Sequence, residues 1–303
     1  MRQKFGLWLP VFLITIFFML SAQVALAKEP DACPDLAYGK GRLFEVRKDN
    51  LPASYIFGTM HTNDPRVLQM PGIIMQAFQV SRVISVEVSI RDKKMREAMS
   101  LMFLPHGDQL QNIIGKPKFD RLAVMARDYD IPKQNLDRMK PWAAATIFSQ
   151  PPERVRANIV LDQEIEKMGF NRGKKIVPLE TMLEQMGLFN SLSPEQQIEF
   201  LDSAINNYSG LQGEISRITD MYLKGDTGPL LCHIRTTMTE YSADLRSFTL
   251  DLLITARNHV MKDRMQPLFK EGAFIAIGAA HLPGQEGVLN LLHQEGYRVK
   301  RLF

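Results

Sequence analysis

Two hydrophobic periodicities divide the chain. Leu43-Phe44-Glu45-Val46 and Tyr55-Ile56-Phe57 flank a turn-rich Lys48-Asp49-Asn50-Leu51-Pro52, the signature of a β-hairpin. After Pro71, the residues Ile73, Ile74, Ala77, Phe78 and Val80 recur at helical spacing, and Val83 to Val88 is a β-branched run. Strand, helix, strand predicts a βαβ unit and hence a parallel sheet with helices against it. From about residue 92 to 260 the spacing turns helical, over Lys118 to Tyr129, Arg138 to Phe148, Asn158 to Met168, Pro194 to Tyr208 and Leu245 to Met261. Ser193-Pro194-Glu195-Gln196 combines an N-cap serine with proline at the first helical position. Lys174 to Leu179 interrupts this region as a short strand. The last stretch returns to α/β, with a buried strand Ala273 to Ile277, a helix Gly287 to Gln294 and a strand Tyr297 to Leu302. The expected fold is α/β: a mixed, largely parallel central sheet made from the N- and C-terminal segments, with a mostly helical middle section packed on it. No Pro/Gly/Ser-rich linker divides residues 28–303, which read as one domain.

The N-terminal segment obeys a different rule. Arg2 and Lys4 precede the apolar run Leu7 to Leu20, and Ala25-Leu26-Ala27 supplies a small-x-small cleavage pattern. The run is shorter than the ~20 residues of a bilayer-spanning helix, so residues 1–27 are expected to be a signal peptide. An exported, periplasmic protein would meet an oxidising compartment, where Cys33 and Cys232, the only two cysteines, either bridge or stay as buried thiols. A bridge closing so long a loop is worth roughly 5 kcal/mol in the chain-entropy model. Net charge is +4, from 37 basic and 33 acidic residues, and no basic stripe points to nucleic acid. No amphipathic anchor suggests stable membrane insertion after cleavage.

Candidate chemistry lies where two strands end alike. Tyr55-Ile56-Phe57 runs into Gly58-Thr59-Met60-His61, and Phe274-Ile275-Ala276-Ile277 into Gly278-Ala279-Ala280-His281. Each glycine lets the chain turn sharply off the sheet. Each histidine then falls in a loop at a strand's carboxyl end, where open α/β sheets place ligands. Parallel pairing of these strands would bring His61 and His281 together. Glu87, between Val86 and Val88, is costly in a core unless paired, and suits a third ligand or a general base. Two imidazoles and a carboxylate suit zinc, manganese, cobalt or iron alike.

These motifs, with the ISVEVS strand and the closing GAAHLPGQEGVLNLLHQEGYRV, resemble the TraB/GumN family over roughly residues 35–303. That family is related to the Tiki metalloproteases and more distantly to erythromycin esterase-like and ChaN-like proteins. The resemblance implies an exported, divalent-metal-dependent hydrolase, most simply a peptidase, with His61, His281 and Glu87 as metal-binding and catalytic positions. A metal-free esterase-like hydrolase using the same residues, and a non-catalytic periplasmic binder of a peptide, haem or metal, are the alternatives. Weaker matches at Asp162, Glu180 with Gln185, and Arg257-Asn258 suggest groups that orient the histidines or hold substrate. For Arg257, among Leu252, Leu253 and Ile254, the choice is between a substrate clamp and a structural ion pair. The substrate is expected to be a peptide or a small molecule. The chain has no H-E-x-x-H, G-x-S-x-G, G-x-x-x-x-G-K or G-x-G-x-x-G motif, which argues against familiar zincins, serine hydrolases, P-loop enzymes and Rossmann dehydrogenases.

Overall fold

The computed structural model describes residues 35–152 and 160–303. The expected signal peptide, Cys33 and the first predicted turn of the helix from Asn158 lie outside the described residues. Six strands form one sheet: β1 (Leu43–Arg47), β2 (Ser54–Thr59), β3 (Val83–Val88), β4 (Lys175–Glu180), β5 (Ala273–Gly278) and β6 (Arg298–Arg301). Their spatial order is β4-β3-β5-β2-β1-β6. β3 pairs in parallel with β4 and β5, and β2 with β5, whereas β1 is antiparallel to both β2 and β6. The sheet is therefore mixed and largely parallel, drawn from both ends of the chain as the periodicity predicts.

Why β5 is central follows from its sequence. Ala273-Phe274-Ile275-Ala276-Ile277-Gly278 is buried throughout, as a strand covered on both faces must be. It slots between β2 and β3, so the predicted β2–helix–β3 unit is a crossover that leaves one place open for a strand from far along the chain. Alternation then splits the side chains between two cores. Phe57, Ile84, Val86, Phe274 and Ala276 pack under helices Gly72–Val80 and Leu161–Asn171. Ile56, Val83, Ile275 and Ile277 meet Met261, Met265 and Leu289 on the opposite face. The edge strands carry Lys175 on one side and Arg298, Lys300 and Arg301 on the other, charges that discourage further pairing.

The middle section builds a third core of its own, around Trp142 stacked on Phe189 with ring centroids 5.8 Å apart. Helix Pro194–Asn207 starts at the predicted cap, with Ser193 and Gln196 forming a reciprocal capping box. Two helical expectations need revision. Helix Pro141–Phe148 begins later than the spacing from Arg138 suggests, because Met139 bridges Phe103 and Pro141 takes the first turn. The run predicted as one helix from Leu245 to Met261 is three pieces: Ala243–Ser247, a π-helix Phe248–Ala256, and helix Arg257–Met265. Among the described residues no helix is long and apolar enough to cross a membrane.

Candidate functional site

The carboxyl ends of β2, β5 and β3 converge. In the β2–β5 register Thr59 lies opposite Gly278, so the two G-x-x-H loops leave the sheet side by side. Gly58 is required there: a Cβ would stand 2.6 Å from Leu282 Cδ1 and 3.2 Å from Ala279 Cα. The loops thus touch through the position where the first lacks a side chain.

Both histidines are buried, each with Nδ1 turned to an oxygen. His61 Nδ1 lies 3.3 Å from Asp162 Oδ2, and Thr59 donates its hydroxyl to Asp162 Oδ1 at 2.7 Å. His281 Nδ1 is 2.6 Å from Asn258 Oδ1, while Asn258 Nδ2 donates to the Glu286 carbonyl at 2.7 Å. The second bond orients the amide, so Nδ1 of His281 carries the proton and Nε2 the lone pair. Burial, reinforced by the nearby Arg257 charge, pushes the His281 pKa down to about 3, keeping the ring neutral at physiological pH.

Glu87 ends β3 with both oxygens engaged. Oε1 accepts the Gly278 N–H at 2.6 Å, and Oε2 accepts from Arg257 Nη2 at 2.7 Å and from Gln185 Nε2 at 3.4 Å. Oε1 also faces His281 Nε2 at 4.0 Å. Burial works to raise the Glu87 pKa, but the Arg257 and His61 charges and the Gly278 bond together hold it below the usual carboxylate range. The strand therefore carries an ionised carboxylate in a core.

Arg257 resolves the choice left by sequence: it builds the ion pair. Nε contacts both Glu180 oxygens at 3.0 Å, Nη2 bridges Glu180 and Glu87, and Nη1 donates to the Leu253 carbonyl at 3.2 Å and faces His281 Nε2 at 3.4 Å. The fork is consumed by these partners, which leaves no N–H directed at a substrate. Gln185 donates to Glu180 at 3.0 Å and closes the cluster. The π-helix ends at Ala256, and the first turn of the following helix delivers Arg257 to the carboxylates and Asn258 to His281 as consecutive residues. Such π segments recur at functional sites.

Thus the structure gathers Glu87, His281, Glu180, Arg257 and Asn258 in one bonded cluster, with His61 and Asp162 beside it through the paired strands and the charge His61 exerts on Glu87. Three contributors carry no pattern that sequence reasoning could use. Thr59 as a pin for Asp162 was hidden as an unremarked member of G-T-M-H, the Gly278 N–H belongs to the backbone, and the π-helix preserves apolar spacing. Cys232 is disulfide-bonded, and among the described residues no cysteine is free. His233 is paired with Glu214, and His259 with Glu286 on the exposed side of Asn258.

The donor types suit a divalent cation only in part. Nδ1 of each imidazole faces an oxygen, a placement that can ready Nε2 for a metal, but the His61–Asp162 approach lacks hydrogen-bond geometry and His281 Nε2 already faces Arg257 Nη1 at 3.4 Å. Glu87 and Glu180 share a single bonded guanidinium, leaving the three groups one negative charge in excess in a buried setting. Glu87 fits less well as a direct ligand, since both its oxygens already accept hydrogen bonds. Consistently, among the described residues no three histidine, cysteine or carboxylate side chains are drawn together as a metal centre.

An α/β sheet with histidine loops at the carboxyl ends of adjacent parallel strands puts polar groups where such sheets place ligands. Comparison goes further: the TraB/PrgY/gumN family model matches residues 43–301, and the chain belongs to that family. It is 24% identical over 304 residues to Metalloprotease TIKI2 of Danio rerio, covering 82% of this chain and 58% of that protein. It is likewise 24% identical over 314 residues to Metalloprotease TIKI1 of Homo sapiens, covering 85% and 61%. The chain thus spans about three fifths of the length of these relatives. No solved structure matches it significantly.

Proposed function

We propose that the chain is a metalloprotease-like hydrolase acting on a peptide or small-molecule substrate, with His61 and His281 holding one divalent ion beside Glu87. The carrying observation is the pair of G-x-x-H loops on hydrogen-bonded parallel strands, with His281 Nδ1 bonded to Asn258 and His61 Nδ1 facing Asp162. The relatives named as metalloproteases support the same reading. When bound, the ion would lower the pKa of a water and polarise a carbonyl. The neutral His281 ring carries its lone pair on Nε2, beside the Arg257 guanidinium at 3.4 Å, and Asp162 lies behind the His61 ring. Glu87, ionised and anchored by Gly278 and Arg257, supplies fixed negative charge; its lowered pKa makes it a weak base. Both histidines are 3% exposed.

A second reading, the metal-free esterase-like hydrolase, is favoured by Arg257, whose guanidinium already places a cation against His281 Nε2 and Glu87. Titration of chelator-stripped residues 28–303 with zinc, manganese and cobalt separates the two. About one ion per chain, lost in folded His61→Ala and His281→Ala, accompanied by metal-dependent cleavage of a peptide library, is expected. No binding by the wild type would sink the metal reading, and cleavage that survives chelation would replace it with the esterase-like one. Binding without turnover would indicate a sequestering protein.

Residues 1–27 are proposed to direct export to the periplasm. The charged start, the short apolar run and Ala25-Leu26-Ala27 support this, as does the disulfide at Cys232. Radiolabelled precursor processed after Ala27 in a signal-peptidase assay is the expected result.

A further inference from the structure

Arg42 is 6% exposed, yet no carboxylate among the described residues pairs with it. Its guanidinium lies between two aromatic rings, 4.6 Å from the Tyr222 centroid and 4.8 Å from that of Phe303. Stacking satisfies the faces of the fork, and the Tyr222 hydroxyl takes part of its N–H edge but supplies no counter-charge. A buried charge without a counter-charge is unfavourable, so this arrangement asks for an anion.

The surroundings reinforce the demand. Arg42 lines a cavity of about 340 Å³ together with Lys40, Lys224 and Arg301. Lys40 is matched by Asp226; Lys224 and Arg301 form no ion pair among the described residues. Three separate stretches of chain therefore bring like charges to one groove, which self-repulsion opposes unless something neutralises them.

The floor is bare backbone. Gly41 and Gly225 both adopt positive φ, 107° and 73°, and the Gly41 N–H donates to the Gly225 carbonyl at 2.8 Å. A Cβ on Gly41 would stand 2.5 Å from Arg301 Cδ. Two glycines thus keep side chains off the floor and allow Arg301 to lie across it. Tyr222, the ring on which Arg42 stacks, donates its hydroxyl to the Gly58 carbonyl at 2.9 Å, so the groove lies behind the first histidine loop and is distinct from the histidine site.

We propose that this groove is a binding site for a small oxyanion, a phosphate or carboxylate group, held by Arg42, Lys224 and Arg301. Charge-assisted bonds from such groups are the strong kind, and guanidinium forks match both anions.

The test is calorimetric titration of residues 28–303 with inorganic phosphate and, separately, with citrate, at low ionic strength. A chelator is present, so that no bound metal can carry the anion. One saturating anion per chain is expected, weakened about tenfold or more in the Lys224→Gln/Arg301→Gln double variant. Both positions are exposed, so that variant folds even if Arg42→Gln does not. Preference for phosphate would assign a tetrahedral oxyanion, and preference for citrate a carboxylate. Absence of saturable binding by either overturns the proposal. So does equal binding by the double variant, or complete loss when sodium chloride is added to match ionic strength, which would mark diffuse screening rather than a site.

Discussion

Replacing Arg257 with methionine removes the charge that makes Glu87 and Glu180 tolerable in the core, while keeping much of the side chain's volume. All three groups are nearly inaccessible, with side chains 4–5% exposed. Removing one partner of such a pair leaves the others buried and uncompensated, at about 3–5 kcal/mol. For a chain of this size that corresponds to a melting temperature lower by roughly 10 °C. The penalty should also depend on pH, in a direction that can be worked out. In the wild type the folded Glu87 pKa is below its unfolded value, so its contribution is present above the unfolded pKa and is lost as pH falls through the folded one. Without the guanidinium, burial dominates and the folded pKa moves above the unfolded one. The folded variant then holds a proton that the unfolded chain releases, and stability falls as pH rises. Urea unfolding followed by circular dichroism should therefore show a smaller penalty at pH 5 than at pH 8. Adding Glu180→Gln to Arg257→Met should recover at least about 1 kcal/mol by removing one of the like charges. A penalty below about 1 kcal/mol, or one equal at both pH values, would refute the claim that Arg257 is chiefly the counter-ion of this cluster.

Three further outcomes are expected. Gly58→Ala drives a methyl group into Leu282 and Ala279, and should lower stability by about 1–3 kcal/mol in thermal melts, with the histidine loops displaced. His281, whose pKa is pushed down to about 3, should show no imidazole protonation by NMR above about pH 4. Its depressed folded pKa also means that stability declines as pH drops below the unfolded value of about 6.5. Reduction of the disulfide at Cys232, or Cys232→Ser, should cost about 2–5 kcal/mol, read as a lower urea midpoint under reducing conditions.

What the sequence made legible tracks the range of the physics involved. The hairpin at β1 and β2, the buried β5 and the Ser193 cap rest on local alternation, composition and capping chemistry, and each forms where expected. The meeting of the two histidine loops was legible because two strands carried the same terminal motif and a parallel sheet has only a few ways to arrange them. The place of β5 between β2 and β3 was not, since strand order is decided by long-range pairing and leaves no mark on periodicity. The π-helix escaped because one extra residue per turn barely disturbs the apolar spacing of Phe248, Leu253 and Ile254. Arg257 shows the limit most plainly. Its neighbours in sequence allow either an ion pair or a substrate clamp, and only the positions of Glu87 and Glu180, distant along the chain, determine which one exists.

The insertion of β5 between β2 and β3 carries a consequence for how the protein is made. Until Ala273 to Gly278 has been delivered, β2 and β3 each present an unpaired inner edge, a template for wrong partners. Nor can Glu87 receive the Gly278 N–H, so its carboxylate has no settled place in a core. A chain synthesised from its N-terminus must hold these strands apart while the whole helical middle is made, a long-range closure of the kind that folds slowly. The pairing of the two histidine loops therefore forms last: no shortened product lacking residues 273–281 can bring them side by side, and the nascent chain lacks that arrangement until its final strands arrive.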